Sequence, residues 1–589
     1  MSRQPRSGPS PVGSLALPNR SQTMRQIAVT TLALAIAAGC AHRAADDSAI
    51  PASASADAAR ESREQDRGRA KHAELESVEV TGSRLLEPPM AASPAAPPAA
   101  FIRMPGPPVE PNTENYAAFE DNGIQRTVEQ PVSTFSIDVD TGSYSNVRRM
   151  LAQGALPPRD AVRVEEMINY FDYGYPAPTD RRQPFRVSTE LAPAPWDGKR
   201  VLMQVGLKGY EVPRSEIPAA NLVFLIDTSG SMNSPDKLPL LKESFRQMVP
   251  RLRAQDRVSI LVYAGSAGLV LPPTPGDRHG EILAALGQLE AGGSTNGGEG
   301  IDLAYAMARQ GFVENGVNRI ILATDGDFNV GIFDPRALET KVEAGRKAGV
   351  ALTTLGFGQG NYNDALAEKL ADVGDGNHAY IDNLMEGRKV LVEEMGSTLL
   401  TIASDVKIQV EFNPAQVAEY RLVGYENRQL AREDFNNDQV DAGEIGAGHD
   451  VTALYELCLV GMGCESSDAL RYGAPVPQAA GAGEIAFLKL RYKQPGEDRS
   501  VLVEQPVRRQ DLRRQAGESL RFAAAVAAYA DLLRGGRNMS GFSWDQVESL
   551  ARGARGDDPW GYRGEFLQLV AQARSLAPAP APDTHISQD

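Results

Sequence analysis

Three cysteines, six histidines and three tryptophans are all that 589 residues contain of those types. With so few cysteines the fold cannot rest on a disulfide framework. His279, His378 and His449 stand apart, without an i, i+4 partner or a neighbouring glutamate pair, so zinc hydrolysis has no support. Basic residues number 60 against 76 acidic ones, a formal net charge of -16. A nucleic-acid backbone needs clustered lysine and arginine, and that class of partner is excluded. No apolar run reaches the roughly 20 residues that a membrane-spanning helix requires. What is present is an ordinary globular composition, 42% hydrophobic and 23% charged, with 55 glycines and 40 prolines that imply many turns and some disordered length. A chain this long exceeds one hydrophobic core, so two to four units are expected.

The first of these is an address. Met24-Arg25-Gln26 precede a short apolar run from Ile27 to Ala38, which reads as a signal peptide over residues 1–40. Its ending, Ala37-Ala38-Gly39-Cys40, resembles a bacterial lipobox. That resemblance implies cleavage before Cys40, lipidation of its thiol and a membrane-anchored protein of the bacterial cell envelope. Ala41 resembles the outer-membrane sorting state, with the chain facing the periplasm. Residues 41–112 are rich in alanine, proline and charge, cannot bury enough surface to offset chain entropy, and read as a disordered tether.

Folded sequence begins near Asn115. Thr134 to Val139 alternates as a half-buried strand should, and Asp160 to Phe171 places Val162, Val164, Met167, Ile168 and Phe171 on one helix face. Strand-like runs follow at Phe185–Leu191 and Val201–Leu207. Four apolar runs then alternate with helical stretches: Leu222–Ile226, Val258–Tyr263, Arg319–Ala323 and Val350–Phe357. Apolar strands without strict alternation, each followed by a helix, predict an α/β unit with a mostly parallel sheet covered on both faces. Beyond Val406 short strands give way to an alanine-rich helix over Ser519–Leu533 and another over Tyr562–Ala573. The face formed by Leu520, Ala524, Ala527, Ala528 and Leu532 reads as core, since basic flanks for a membrane surface are missing. The expected order is an N-terminal domain at 113–215, the α/β domain at 216–403, a C-terminal α+β domain at 404–577 and a disordered tail at 578–589. Cys458 and Cys464 are close enough in sequence to close a small loop in an oxidising compartment.

The chemistry concentrates after the first central strand, in Asp227-Thr228-Ser229-Gly230-Ser231. A carboxylate at the carboxyl end of a buried strand sits in the crevice where open α/β sheets place their ligands. Two serines at alternate positions can turn both hydroxyls to one point, and such hard, mostly neutral oxygens suit Mg²⁺. These residues resemble the metal-ion-dependent adhesion site of the von Willebrand factor A domain, a Rossmann-like α/β fold. Gly292 to Asn296 is similar to the loop that carries its threonine, and Thr324-Asp325-Gly326 to its last acidic element. The resemblance implies that Asp227, Ser229, Ser231, Thr295 and Asp325 hold Mg²⁺ or Mn²⁺ and leave one coordination position for a carboxylate from a protein partner.

Further stretches resemble a bacterial family of envelope von Willebrand factor A proteins with their own N-terminal and C-terminal domains. They are Ser133 to Arg149, Arg163 to Phe171 and Tyr420 to His449. Two weaker patterns compete for function. Asp140-Thr141-Gly142-Ser143 is similar to an aspartic-protease loop, but a second copy is missing, and Asp138 and Asp140 read as a solvated turn. Asp434 to Asp441 resembles a calcium loop, yet Gln439 replaces the turn glycine and Ile445 the bidentate glutamate, so a polar turn is expected. The reading is a binding protein and not an enzyme. Its alternative is a metal-dependent hydrolase or an aspartic-type protease, which would need a base or nucleophile near the three loops. No histidine, cysteine or lysine is counted there, and Glu299 and Asp327 read as solvated or supporting carboxylates.

Overall fold

The computed structural model describes residues 114–578, except 138–139, 265, 293–296, 327–333, 361, 441, 467–482, 498 and 540. The expected signal segment with Cys40, the tether at 41–112 and the tail beyond residue 578 lie outside the described residues. From the N-terminal side come strands β1 (Gln125–Arg126), β2 (Val132–Ser136), β3 (Phe185–Pro193) and β4 (Val201–Gly209). The central segment supplies β5 (Ala220–Asp227), β6 (Arg257–Ala264), β7 (Ser266–Pro275), β8 (Val317–Thr324), β9 (Ala351–Phe357) and β10 (His378–Ile381). The last segment adds β11 (Thr401–Phe412), β12 (Val417–Val423), β13 (Ile445–Gly446), β14 (Asp450–Leu459), β15 (Glu484–Lys493) and β16 (Ser500–Arg508).

The central strands form one sheet in the order β10-β9-β8-β5-β6-β7. All pairings are parallel except the antiparallel edge strand β7. β7 escapes the sequence reading because Pro272, Pro273 and Pro275 argue against a strand; proline is tolerated there because an edge leaves one row of backbone groups unpaired. Alternate residues of β5 pack on opposite layers. Leu222, Phe224 and Ile226 join a core with Leu241 and Phe245 of the helix Leu238–Met248, while Val223 and Leu225 join Ile301 and Ala304 of the helix Gly297–Gln310. A strand buried on both faces must be apolar at every position, hence the unbroken run Leu222–Ile226.

The two flanking segments, 113–215 and 404–577, pair with each other through shared sheets. One sheet runs β1-β12-β14-β4-β3, with β4 against β14 from Val201↔Leu457 to Lys208↔Asp450. A second runs β13-β11-β15-β16, and β2 pairs with the other edge of β11. Val205, Leu207 and Tyr455 of the first share a core with Phe135, Ile408, Val410 and Leu488 of the second. The α/β unit is therefore inserted in the chain between β4 and β11 of a two-sheet assembly that its neighbours complete. A helical layer is shared in the same way: Val147, Met167 and Ile168 pack with Leu520, Phe522, Ala524, Phe566 and Val570. The alanine-rich helix, Glu518–Leu533, is core, as its pattern predicts. Cys458 and Cys464 are disulfide-bonded.

The single helix expected over Asp160–Phe171 is instead a short 3-10 turn, Arg159–Ala161, and a helix, Val164–Asn169, separated by extended Arg163. Ser143 causes the break. Its hydroxyl accepts the Arg163 N–H at 2.9 Å and donates to the Ala161 carbonyl at 2.7 Å, taking over hydrogen bonds that a continuous helix would make internally.

Candidate metal centre

β5 ends at Asp227, and the chain leaves it through a 3-10 turn, Gly230–Asn233, anchored by fully buried Met232. Asp227 is buried. Its Oδ1 accepts the Ser229 N–H at 2.8 Å, a two-residue loop that fixes the carboxylate's orientation. Oδ2 is buried too, and the hydroxyls of Ser229 and Tyr263 lie beside the carboxylate. The hydroxyls of Ser229 and Ser231 lie 2.9 Å apart, and exposure rises from Asp227 through Ser229 to solvent-facing Ser231.

Asp325 follows β8, the strand beside β5, and is fully buried. The chain turns away at Gly326, whose φ of +85° favours glycine and where a Cβ would come 2.4 Å from the Asn363 nitrogen. The Gly326 N–H donates to Thr324 Oγ1 at 3.0 Å. Burial pushes the Asp227 carboxyl up to about 7, with the Asp325 charge acting in the same direction against the Ser229 N–H. Thr295 lies outside the described residues, as does Asp327. Gly292, just before that loop, donates its N–H to the Thr228 carbonyl at 2.7 Å.

Lys237 was missed by the sequence reading. Six residues after Ser231, it reaches back so that Nζ donates to Asp325 Oδ2 at 2.9 Å. Its place ahead of the helix Leu238–Met248 is legible in the sequence; the backward reach is not, because it depends on where β8 ends.

Among the described residues no group of three or more His, Cys, Asp or Glu side chains is gathered to hold a metal. The donors assembled here are two carboxylates and two hydroxyls. A buried carboxylate met only by neutral donors, beside a second carboxylate and paired serine hydroxyls, fits a hard cation such as Mg²⁺.

The other candidates take structural places. Asp140 is buried and not a solvated turn: it accepts the His378 N–H at 2.8 Å and faces Arg428 at 3.5 Å. Asp138 lies outside the described residues. In the calcium-like segment Lys407 Nζ donates to the carbonyls of Asp434 and Asn437, at 3.3 and 2.5 Å, so an ammonium stands where oxygens converge. His378 is buried between Thr354 and Tyr362, each at 2.9 Å from a ring nitrogen.

An α/β sheet of this order, with an aspartate and two serines after its central strand, defines a von Willebrand factor type A domain. The model of that family matches residues 221–392; one described as von Willebrand factor matches 110–204, and one described as the C-terminal part of the uncharacterized protein YfbK matches 397–576. The chain belongs to the family of YfbK from Escherichia coli, with which it is 49% identical over 499 residues, 83% of this chain and 85% of that protein. It is also 30% identical to the uncharacterized protein sll0103 of Synechocystis over 215 residues, 36% of this chain and half of that one. Human inter-alpha-trypsin inhibitor heavy chain H3 matches at 24% identity over 40% of this chain and 28% of its own. Among solved structures, a von Willebrand factor type A protein from Catenulispora acidiphila covers 68% of this chain and 91% of its own at 16% identity, with a TM-score of 0.39. BatB from Bacteroides thetaiotaomicron covers 30% of this chain and 97% of its own at 21% identity, with a TM-score of 0.26.

Proposed function

We propose that this protein binds a divalent cation, Mg²⁺ or Mn²⁺, through Asp227, Ser229, Ser231, Thr295 and Asp325, and that the ion receives a carboxylate from a protein partner. The supporting observation is the buried carboxylate of Asp227, faced by the Asp325 carboxylate and by neutral donors only, beside two serine hydroxyls 2.9 Å apart. When bound, the ion supplies a positive centre that an acidic side chain can complete. The chain does the rest: the Ser229 N–H aims Asp227, Met232 anchors the serine turn, and solvent-facing Ser231 marks the side from which a partner approaches.

Binding is favoured over catalysis by the groups on the described site. The orientation of Asp227 and the engagement of Lys237 with Asp325 serve positioning and charge compensation, and a hydrolase would need a base or nucleophile besides. We further propose that the protein works in the cell envelope, lipid-anchored through Cys40 at the outer membrane and facing the periplasm. The signal-like N-terminus supports this, and the Cys458–Cys464 bond suits an oxidising compartment.

Calorimetric titration of Mg²⁺ into the wild-type chain and into Asp227→Ala tests the cation site. Wild type should take up one ion that the variant does not, and identical titrations would sink the assignment. Affinity capture from envelope extract, with Mg²⁺ or with chelator, tests the partner: capture should require the ion.

A further inference from the structure

The ammonium of Lys237 already stands at one of the two central carboxylates. Its Nζ lies 2.9 Å from Asp325 Oδ2, with 8% of the lysine side chain exposed and none of the aspartate. This position is built into the fold. A Cβ on Gly358 would fall 2.1 Å from Lys237 Cε, 2.5 Å from Cγ and 2.7 Å from Cδ, so the lysine stem runs through space that only a glycine leaves open. Gly358 also has a φ of +77°, and its carbonyl accepts a short hydrogen bond from the Tyr380 hydroxyl. A buried ammonium is costly unless a carboxylate compensates it, and Asp325 does so. The carboxylates of the site are thus served unequally. Asp325 has a cation in place, while Asp227 is met by neutral donors, the Ser229 N–H and the Ser229 and Tyr263 hydroxyls.

A divalent ion shared by the two carboxylates competes with Lys237 for the charge of Asp325. We propose that Lys237 is a tethered competitor of the divalent cation: it compensates Asp325 when the site is metal-free, must leave that carboxylate as the ion binds, and so weakens the affinity of the site. This rests on the cation-binding reading above and adds to it the residue that tunes the affinity.

Lys237→Met tests it, because methionine retains an unbranched stem for the Gly358 groove and removes the charge. Mg²⁺ titrated into the full chain by calorimetry should bind Lys237→Met at least tenfold more tightly than wild type. In chelator the same variant should melt below wild type, since Asp325 loses the Lys237 ammonium, and added Mg²⁺ should reverse the order. Gly358→Ala, which evicts the stem without touching the charge, should move the Mg²⁺ affinity in the same direction. Equal or weaker Mg²⁺ binding by Lys237→Met overturns the competition and leaves the cation site standing. If neither wild type nor Lys237→Met binds the ion, the cation site fails, and the competition with it.

Discussion

Asp140 Oδ1 accepts the backbone N–H of His378 at 2.8 Å, tying the turn after β2 to the first residue of β10, 238 positions later in the chain. The contact docks an N-terminal turn on an edge of the von Willebrand factor A sheet. Asp140→Ala leaves a buried N–H without an acceptor and should cost about 1–3 kcal/mol. Asp140→Asn keeps an acceptor and should lose less. Urea unfolding of both variants measures the difference.

Arg148, on the helix Gly142–Ala152, joins three parts of the chain. Its guanidinium bonds Asp382 at 2.8 Å and Glu386 at 2.7 Å on the A-domain side, Glu565 at 2.9 Å on the helix Tyr562–Leu576, and the Tyr170 hydroxyl at 3.1 Å. Removing one partner of a buried ion pair costs about 3–5 kcal/mol, so Arg148→Met should be among the most damaging single changes. Arg148→Lys should recover little, because one ammonium cannot reach acceptors that a planar fork spans. Thermal unfolding of both variants, with matching losses, is the expected outcome.

The serine hydroxyls offer a graded test of the cation site. Ser231→Ala removes one neutral oxygen donor at an exposed position and should weaken Mg²⁺ binding about tenfold, or ~1.4 kcal/mol. Ligand linkage gives a second readout: Mg²⁺ at about 100 times its Kd should add about 2.7 kcal/mol to wild-type stability, and the same concentration should add less to Ser231→Ala. Melting curves with and without the ion check both. A variant stabilised as strongly as wild type would remove Ser231 from the site.

His449 predicts a pH response. It lines a cleft of about 400 Å³ where the helical layer, the two-sheet assembly and the end of the α/β segment meet, together with Lys208, Lys389, Glu394 and Trp560. Burial holds its imidazole down at about 4; the charge of Glu394 opposes this, and Lys389 and Lys208 reinforce it. The unfolded chain therefore binds the proton more readily than the native one, starting near 6.5. Stability from the neutral ring is intact above that pH and drains away as pH falls towards 4, by about 3 kcal/mol. Urea midpoints measured between pH 7 and 4 should fall less steeply for His449→Gln than for wild type.

Local chemistry alone determined a good deal here. The run Leu222–Ile226 announces a strand covered on both faces, because every position must be apolar when both layers are occupied. The alanine-rich face of Glu518–Leu533 announces core by its spacing, and Asp227 with the alternating serines announces clustered oxygens because a turn brings alternate residues together. These signals lie within a few residues of one another. The tertiary structure alone decided which distant segments meet. β4 pairs with β14 and β2 with β11 across hundreds of residues, so the segments before and after the A domain share a pair of sheets. Lys237 reaches Asp325, and Asp140 is buried under His378, for the same reason: strand pairing and ion pairing at long range depend on the whole topology, whereas propensity and periodicity depend only on neighbours along the chain.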